Sequence, residues 1–412
     1  MKSVLSCLTF AAAASALVVP GAKVNYDGYK IVRVPTGAGV DDMITQLSLP
    51  TWEKNSAHID VMVPPSVQKK FDSFTSGLKT KIMHENLGNS ILKEDTFNAY
   101  AAGNANTTWF QSYHPYQDHL QFLADLAEAH PENAEVVTEG KSSEGRAITG
   151  IHLYGADGPG KPAIVFHGTV HAREWITTMV NEYITYSLLD GYAGDEEVKK
   201  ILDTYDFYVF PVVNPDGFVY TQTNDRMWRK NRQENGGSQC LGRDVNRNWP
   251  HKWDGEGSSE DPCNETYRGE EGGDSPEVKA LIAQLNKVKE SQGVKAYIDW
   301  HSYSQLFMTP YGYTCSTVPD NNEKLQTLAG SFVDALQGVH GTSYEYGPIC
   351  QTIYQTPGSS VDFNQDVVGT EYVFTAELRD TGDYGFILPA EQIVPTGEET
   401  WEGVKALIAG LE

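Results

Sequence analysis

The stretch PAIVFHGTVHAREW, from Pro162 to Trp175, runs from an apolar strand-like segment through a loop into the start of a helix. The helical spacing of apolar residues continues through TTMVNEYITYSLLDGY, residues 177–192. His171 and Glu174 therefore lie beyond the carboxyl end of a predicted strand, the edge at which ligands collect in open α/β sheets. An imidazole and a carboxylate at this spacing suit half of a metal site.

A catalytic zinc takes three protein ligands and leaves a fourth position for water, so a third ligand is needed. The candidate is His301 in AYIDWHSYSQ, which again follows an apolar strand-like run. A solvated loop pair or an ordinary core histidine would also explain the first motif taken alone. The metal hypothesis gains support from further polar motifs downstream, which supply Arg229 (RMWRKNR), Asn246 and Arg247 (GRDVNRNW), Tyr354 (TIYQTPGSS) and Glu377 (FTAELRDTGDYGF).

The order of predicted elements indicates an α/β protein with two parts. Strand-like runs alternate with helical segments over roughly the last 300 residues, which favours one large α/β domain. Before it, residues 23–97 read as a small mixed domain whose predicted elements are strands at Tyr29–Thr36 and Ala57–Pro65 and helices at Val40–Leu47 and Pro65–Leu78. The segment Asn98–Trp109 is rich in Ala, Asn, Gly and Thr, and is predicted to be a linker open to proteolysis.

Composition and the N-terminus indicate an exported protein. One Lys, an apolar run from Val4 to about Ala14 and small residues after it predict a secretory signal over residues 1–17, with an N-terminal core element as the alternative. The sequons at Asn106 and Asn264 agree with export and are candidate glycosylation sites. A formal charge of -24, from 31 basic and 55 acidic residues, argues against nucleic acid or a membrane surface as partner.

The cysteines also fit an exported chain. With Cys7 inside the predicted signal, four cysteines remain, at positions 240, 263, 315 and 350. An even number suggests two disulfides, for which three pairings are possible.

The motifs HAREW, MWRKNR, DVNRNW, DPCNETYRG, HSYSQ, PYGY, IYQTPGSSVD and ELRDTGDYGF resemble, in order and spacing, those of zinc carboxypeptidases of the pancreatic carboxypeptidase A type. The resemblance covers about residues 108–412, and the preceding segment resembles the family's activation propeptide more weakly. It implies a secreted procarboxypeptidase with a signal peptide (1–17), a propeptide that ends in the linker (18–106) and a catalytic domain (107–412). The catalytic domain would have a central mixed, twisted β-sheet flanked by helices, and the propeptide would be a small α+β domain.

The resemblance implies one zinc ion per chain, bound by His171, Glu174 and His301. It also implies that Asp244 accepts a hydrogen bond from His171 and fixes its tautomer, although a loop cap is an alternative role for this residue.

The same resemblance gives Glu377 the role of general base and acid, and Arg229 that of facing the developing oxyanion. A structural salt bridge is the alternative for each of these two residues.

The resemblance implies that Asn246, Arg247 and Tyr354 bind the free C-terminus of the substrate. A guanidinium matches the geometry of a carboxylate, and the amide of Asn246 and the phenol of Tyr354 complete the site. This set favours an exopeptidase. Arg173 matches a residue that contacts substrate further from the cut, and the remaining substrate-binding candidates are Ser302, Tyr303 and Phe386.

Val361 matches the floor of the pocket for the terminal side chain, with Ile349, Gly312 and Thr356 as further wall candidates. An apolar floor offers no partner to Lys or Arg, so the resemblance implies a preference for apolar or aromatic terminal residues. Asp362 is adjacent, and a shift of one residue would reverse this expectation.

The resemblance pairs Cys240 with Cys263 and Cys315 with Cys350. It implies peptide or protein C-termini as substrates, an activating protease as a partner and a monomeric protein. Two other classes stay open: a non-catalytic peptide-binding relative, and a different amide hydrolase on the same fold, such as a deacylase or a peptidoglycan endopeptidase.

Overall fold

In the computed structural model, which describes residues 23–411, the chain forms a four-stranded and an eight-stranded β-sheet. The signal segment predicted over residues 1–17 lies outside the described residues. Within the described part of the chain, no helix is long and apolar enough to cross a membrane.

The four-stranded sheet belongs to the small N-terminal α+β unit. Its strands pair antiparallel in the order β2-β3-β1-β4, and apolar residues of β1 and β3 pack against α1 and α2. The predicted bounds of α1 are confirmed, whereas the helix predicted over 65–78 is shorter and β2, β4 and α3 were not predicted. The elements are β1 (Lys30–Pro35), α1 (Val40–Leu47), β2 (Thr51–Lys54), β3 (His58–Val63), α2 (Gln68–Thr75), β4 (Lys81–His84) and α3 (Leu87–Glu94).

The predicted linker is only partly confirmed. Residues 98–106 contain no helix or strand, but a 3-10 helix begins within the predicted linker and covers Thr107–Gln111. The side chain of Asn106 starts this helix because it accepts a hydrogen bond from the backbone N–H of Thr108.

The eight-stranded sheet forms the large domain, in the order β11-β10-β12-β9-β7-β8-β6-β5. The central strands β12, β9, β7 and β8 are parallel, and antiparallel pairs flank them, so the sheet is mixed as expected. Its strands are β5 (Ala134–Lys141), β6 (Ala147–Leu153), β7 (Ala163–Gly168), β8 (Asp206–Phe210), β9 (Val294–Ser302), β10 (Leu306–Thr309), β11 (Glu345–Pro348) and β12 (Tyr372–Leu378).

Helices cover both faces of this sheet. Apolar residues of α4, α5, α9 and α12 form one buried cluster, and those of α8 contribute to a second. The helices are α4 (Tyr116–Ala129), α5 (Trp175–Gly191), α6 (Glu196–Thr204), α7 (Pro215–Thr223), α8 (Pro276–Ser291), α9 (Asn322–His340), α10 (Ile349–Thr352), α11 (Ser360–Phe363) and α12 (Ile393–Ala409), with short 3-10 turns at Val245–Arg247 and Ala390–Gln392 and a π turn at Asn364–Val368.

The strand register sets the position of the candidate site. All six residues of β7 are buried, as its unbroken apolar run predicts for a central parallel strand. Glu377 on β12 lies opposite His301 on β9, and β9 in turn pairs with β7, which leads to His171. Three sequence-distant segments therefore meet at one edge of the sheet.

Both disulfides form as the resemblance implied. Cys240 is bonded to Cys263, and Cys315 is bonded to Cys350. The first closes the loop that carries Asn246 back toward the cleft, and the second joins the segments after β10 and β11.

Candidate active site

His171, Glu174 and His301 converge at the carboxyl edge of the large sheet. His171 lies in the loop after β7, Glu174 is the residue before α5, and His301 is near the end of β9. Nδ1 of His171 is 2.8 Å from Oε1 of Glu174, and Nδ1 of His301 is 3.1 Å from both Nδ1 of His171 and Oε2 of Glu174. All three side chains are buried.

This arrangement fits a divalent cation. The donor atoms of the three residues lie within 4.8 Å of one another, with two imidazole nitrogens turned toward each other and toward one carboxylate. Two imidazoles and a carboxylate are a donor set used by catalytic zinc sites. The backbone N–H of Ser302 donates to Glu174, at 3.3 Å, and helps to orient the carboxylate.

Two buried carboxylates hold the far side of the histidine rings. Nε2 of His171 is 3.2 Å from Oδ1 of Asp244, and Nε2 of His301 is 3.1 Å from Oδ2 of Asp299. A carboxylate at Nε2 places the proton there and leaves Nδ1 as the ligand atom. The sequence reasoning missed Asp299, although its position two residues before His301 on a predicted strand puts both side chains on one face.

Asp244 has more than one partner. Its carboxylate also accepts from the backbone N–H of Asn246, at 2.9 Å, so the alternative role as a loop cap is present together with the contact to His171. The guanidinium of Arg229 donates to the other oxygen of Asp244 through Nε and Nη2, at 3.1 and 2.9 Å. One carboxylate therefore positions both a histidine and an arginine of the cleft.

Glu377 lines the cleft beside His301. Burial raises the pKa of Glu377 well above its ordinary value, His301 opposes this shift, and Glu174 adds to it. A buried carboxyl group with a raised pKa is suited to act as a general base and acid.

Asn246, Arg247 and Tyr354 also line the cleft. The side chain of Asn246 accepts from the backbone N–H of Ser360, at 2.9 Å, and lies 3.3 Å from Nε2 of His301. Arg247 is almost fully buried and donates to the carbonyl of Gly257, at 2.9 Å, and to that of Asn246, at 2.8 Å. Tyr354 is 40% exposed, so it is the most accessible of these three residues.

One wall of the cleft is apolar. The cleft has a volume of about 730 Å³ when the space open to solvent is included, and its apolar wall consists of Met308, Ile349, Ile353 and Val361 together with Thr356.

Asp362 is absent from the residues that line this cleft. Its carboxylate accepts from the backbone N–H groups of Gly312 and Tyr313, each at 2.9 Å. Burial raises the pKa of Asp362 to about 7, and these hydrogen bonds oppose that shift. Val361, by contrast, lines the cleft.

The N-terminal unit supplies the remaining wall of the cleft. Residues of β2, Trp52 to Lys54, line the cleft, and the ring of Trp52 lies 5.2 Å from that of Phe386. The hydroxyl of Tyr303 donates to Asp60, at 2.6 Å. Phe386 and Tyr303, both predicted to bind substrate, are therefore covered by the N-terminal unit.

Arg173 lies beside Phe386, with its guanidinium carbon 4.3 Å from the ring centre. It donates to Glu265, at 3.0 Å, and to the carbonyl of Met227, at 3.2 Å. Arg173 is not among the residues that line the cleft, and its contact with Phe386 places it beside the part of the cleft that the N-terminal unit covers.

Comparison with known proteins agrees with this geometry. A family model described as zinc carboxypeptidase matches residues 119–403, and one described as carboxypeptidase activation peptide matches residues 40–94. A metallocarboxypeptidase A-like protein of Trichophyton verrucosum is 52% identical over 426 residues, covering 100% of both chains. Bovine carboxypeptidase A1 is 37% identical, with 94% of both chains covered. The crystal structure of thrombin activatable fibrinolysis inhibitor has a TM-score of 0.87 at 28% identity, covering 93% of this chain and 98% of that one.

Proposed function

This chain belongs to the zinc carboxypeptidase family and carries an activation peptide, and from that premise we propose how its cleft works and on which substrates. The protein is the zymogen of a metallocarboxypeptidase. We propose that His171, Glu174 and His301 bind one zinc ion, because their donor atoms converge and carboxylates orient both imidazoles. Zinc at this position would supply a Lewis acid that polarises the scissile carbonyl and lowers the pKa of water.

Glu377 and Arg229 carry the chemistry of the protein itself. The carboxylate of Glu377 takes a proton from the attacking water and returns it to the leaving amine. Arg229 stabilises the charge that develops on the carbonyl oxygen, and its two hydrogen bonds to one oxygen of Asp244 hold its guanidinium in place before substrate arrives.

The chain-end specificity rests on Asn246, Arg247 and Tyr354. The buried guanidinium of Arg247 offers charge-assisted hydrogen bonds to a free C-terminal carboxylate, and a substrate without one would leave that charge unpaired. Residues before the terminal one would contact Ser302 together with Arg173, Tyr303 and Phe386.

The preferred terminal side chain is apolar or aromatic. The observation that carries this proposal is the apolar wall around Val361, together with the position of the Asp362 carboxylate on backbone N–H groups outside the cleft. Burying a Leu, Ile or Phe side chain there contributes roughly 1.5 to 3 kcal/mol, whereas a Lys or Arg would lose hydration without a partner.

The zymogen organisation extends this proposal. Residues 1–17 form a secretory signal, residues 18–106 the propeptide with its linker, and residues 107–412 the catalytic domain. The protein is secreted and works as a monomer on peptide or protein C-termini, and Asn106 and Asn264 are its candidate glycosylation sites. Trp52 and the neighbouring residues of β2 support an inhibitory propeptide because they line the cleft.

Release of amino acids by the activated protein tests the proposal. Peptides that end in Phe, Arg or Glu are compared with and without a zinc chelator, and Phe should be released fastest and only without chelator. The variant V361D should favour Arg instead. Faster release of Arg by the unsubstituted protein would refute the side-chain preference.

The variant R247A separates exopeptidase from other amide hydrolase activity. An exopeptidase should lose its affinity for free C-termini, with KM rising more than kcat falls. Equal cleavage of peptides with free and amidated C-termini would favour a different amide hydrolase on the same fold.

A further inference from the structure

The segment between the two domains is held at its N-terminal side by packing in the core of the large domain. The ring of Phe97 lies 5.9 Å from that of Trp175, and the ring of Tyr100 lies 4.7 Å from that of Trp109. Both Phe97 and Tyr100 pack against the main hydrophobic cluster of the catalytic domain. The segment is therefore anchored to the catalytic domain, although its composition is typical of a flexible linker.

The segment is also held at its C-terminal side. Ala105 packs against the same hydrophobic cluster, and Asn106 caps the 3-10 helix that follows. Between the two anchors, residues 101–104 (Ala-Ala-Gly-Asn) are exposed and form a turn with a positive φ of 78° at Gly103. Exposed turns of small residues are preferred sites of proteolytic cleavage.

A single buried carboxylate secures this turn. Asp125 on α4 is 5% exposed and accepts from the hydroxyl of Tyr100, at 2.6 Å, and from the backbone N–H of Gly103, at 2.7 Å. Its other oxygen accepts from Gln121, at 2.7 Å. Asp125 thus binds the chain on both sides of the bond between Ala102 and Gly103.

The sequence of the segment restricts the protease that can cut it. Residues 94–140 contain no Lys or Arg, so a protease specific for basic residues has no site in the linker. The last basic residue before this interval, Lys93, precedes Glu94, whose carboxylate is buried in an ion pair with Arg226, at 2.6 Å. Cleavage after Lys93 would require this buried helix end to open.

We propose that the bond between Ala102 and Gly103 is the activation site, that the activating protease accepts small uncharged residues, and that Asp125 binds the new N-terminus. This inference rests on the proposed zymogen function and places the boundary at the exposed turn, four residues before the end of the predicted propeptide.

The chemistry of the cut explains the role of Asp125. Hydrolysis adds one water across the bond, so Ala102 gains a carboxylate and Gly103 gains an α-ammonium. The nitrogen that becomes charged already lies 2.7 Å from Asp125, so the hydrogen bond from a neutral amide to the carboxylate becomes an ion pair without movement of the chain. The Ala102 carboxylate is repelled by Asp125 and leaves with the propeptide.

Limited proteolysis of the full-length protein tests the site and the protease class. Pancreatic elastase, whose small pocket accepts Ala, should give a product that begins at Gly103, with at least a tenfold rise in chelator-sensitive release of Phe. Trypsin should give no product that begins between residues 94 and 141. A first elastase product outside the turn, or activation by trypsin at Lys93, would overturn the inference.

The variant A102R provides a control that does not depend on elastase. Trypsin should now cut after position 102 and give an active product that begins at Gly103. If trypsin gives active product from A102R but elastase does not cut the unsubstituted protein, the inference about the activation site is wrong and the proposed function still holds. Correctly cut but inactive product contradicts the proposed function instead, and failure of trypsin to cut shows that the turn is inaccessible and overturns the inference.

A second measurement tests the contact with Asp125. Trypsin-cut A102R and A102R/D125N proteins share the same N-terminus, and their Tm is followed from pH 6 to 10. An ammonium paired with Asp125 has a raised pKa, so its stabilisation is present below about pH 8 and is lost as pH rises through the folded pKa. Below about pH 8, the cut A102R protein should have a higher Tm than the cut A102R/D125N protein, and this difference in Tm should disappear at high pH. The difference in Tm between the two uncut proteins should not change with pH. An equal pH dependence in cut and uncut proteins would overturn the role of Asp125.

Discussion

The cleft has two walls that are built differently. In the wall of the catalytic domain, buried side chains hold one another, as Asp244 holds both His171 and Arg229. The wall of the propeptide comes from β2, a four-residue edge strand in which Trp52 is the buried residue. The geometry of the candidate ligands is therefore set within the catalytic domain, and the described part of the propeptide covers the cleft without contacting those ligands.

The attachments of the propeptide show the same contrast on a smaller scale. Glu94 and Arg226 form an ion pair in which both side chains are at most 1% exposed, and the guanidinium also lies 3.8 Å from the ring centre of Trp175. Lys81 and Asp383 form a pair that also joins the two domains but is more than half exposed. Although both ion pairs carry the same formal charges, the buried pair should therefore contribute much more to propeptide docking than the exposed pair.

The largest expected effect is the loss of activity when Glu377, in the wall of the catalytic domain, is replaced. The variant E377Q keeps the size of the side chain but cannot take a proton, so kcat of the activated enzyme should fall by about 10²- to 10⁴-fold. Zinc content and inhibition by the attached propeptide should not change, because neither depends on the proton of this group. A variant that retains a tenth of the kcat would show that another group is the base.

Breaking the buried pair should have the next largest effect. The variant E94A leaves Arg226 charged and unpaired in the interface, which should weaken docking by about 3 to 5 kcal/mol. The uncut variant should release Phe from a peptide faster than the uncut original protein, and its propeptide should separate faster after cleavage. The neighbouring exposed Lys93 provides the control, since K93A should change neither quantity. Equal behaviour of E94A and K93A would refute the importance of burial.

These contrasts also explain what the sequence could predict. The bounds of α1, the unbroken apolar run of β7 and the positions of the three candidate ligands follow from local pattern or from motifs, and the structure brings the ligands together. The strand β2, with the sequence TWEK, has no alternation that local reasoning could use.

Contacts between residues distant in sequence account for most of what was missed. The pair of Glu94 and Arg226 spans 132 positions, and the anchoring of Tyr100 depends on Asp125 from a different helix. Composition alone therefore predicts a flexible linker, whereas tertiary contacts anchor this segment to the catalytic domain. Asp299 is the exception, because its two-residue spacing from His301 was visible in the sequence.

A smaller effect within the catalytic wall is expected from the carboxylates behind the histidines. D244N and D299N should each lower zinc affinity by about 10- to 100-fold, because the imidazoles lose the partners that fix their tautomer. Competition with a chelator measures this affinity. Asp362 is an equally buried carboxylate whose hydrogen bonds go to Gly312 and Tyr313, so D362N should leave zinc affinity nearly unchanged. A similar loss in all three variants would indicate general damage to the fold.

The smallest effect is expected from the exposed interdomain pair. K81A should weaken docking by only about 0.2 to 1 kcal/mol, because water and salt already screen both charges. The rate at which the cut propeptide separates should rise less than about fivefold, and the difference from the original protein should vanish at 1 M salt. The effect of E94A should persist at that salt concentration, because the Glu94 site excludes solvent. If K81A and E94A increased the separation rate of the cut propeptide equally at low salt, docking would depend on the overall surface charge of the protein rather than on one buried contact.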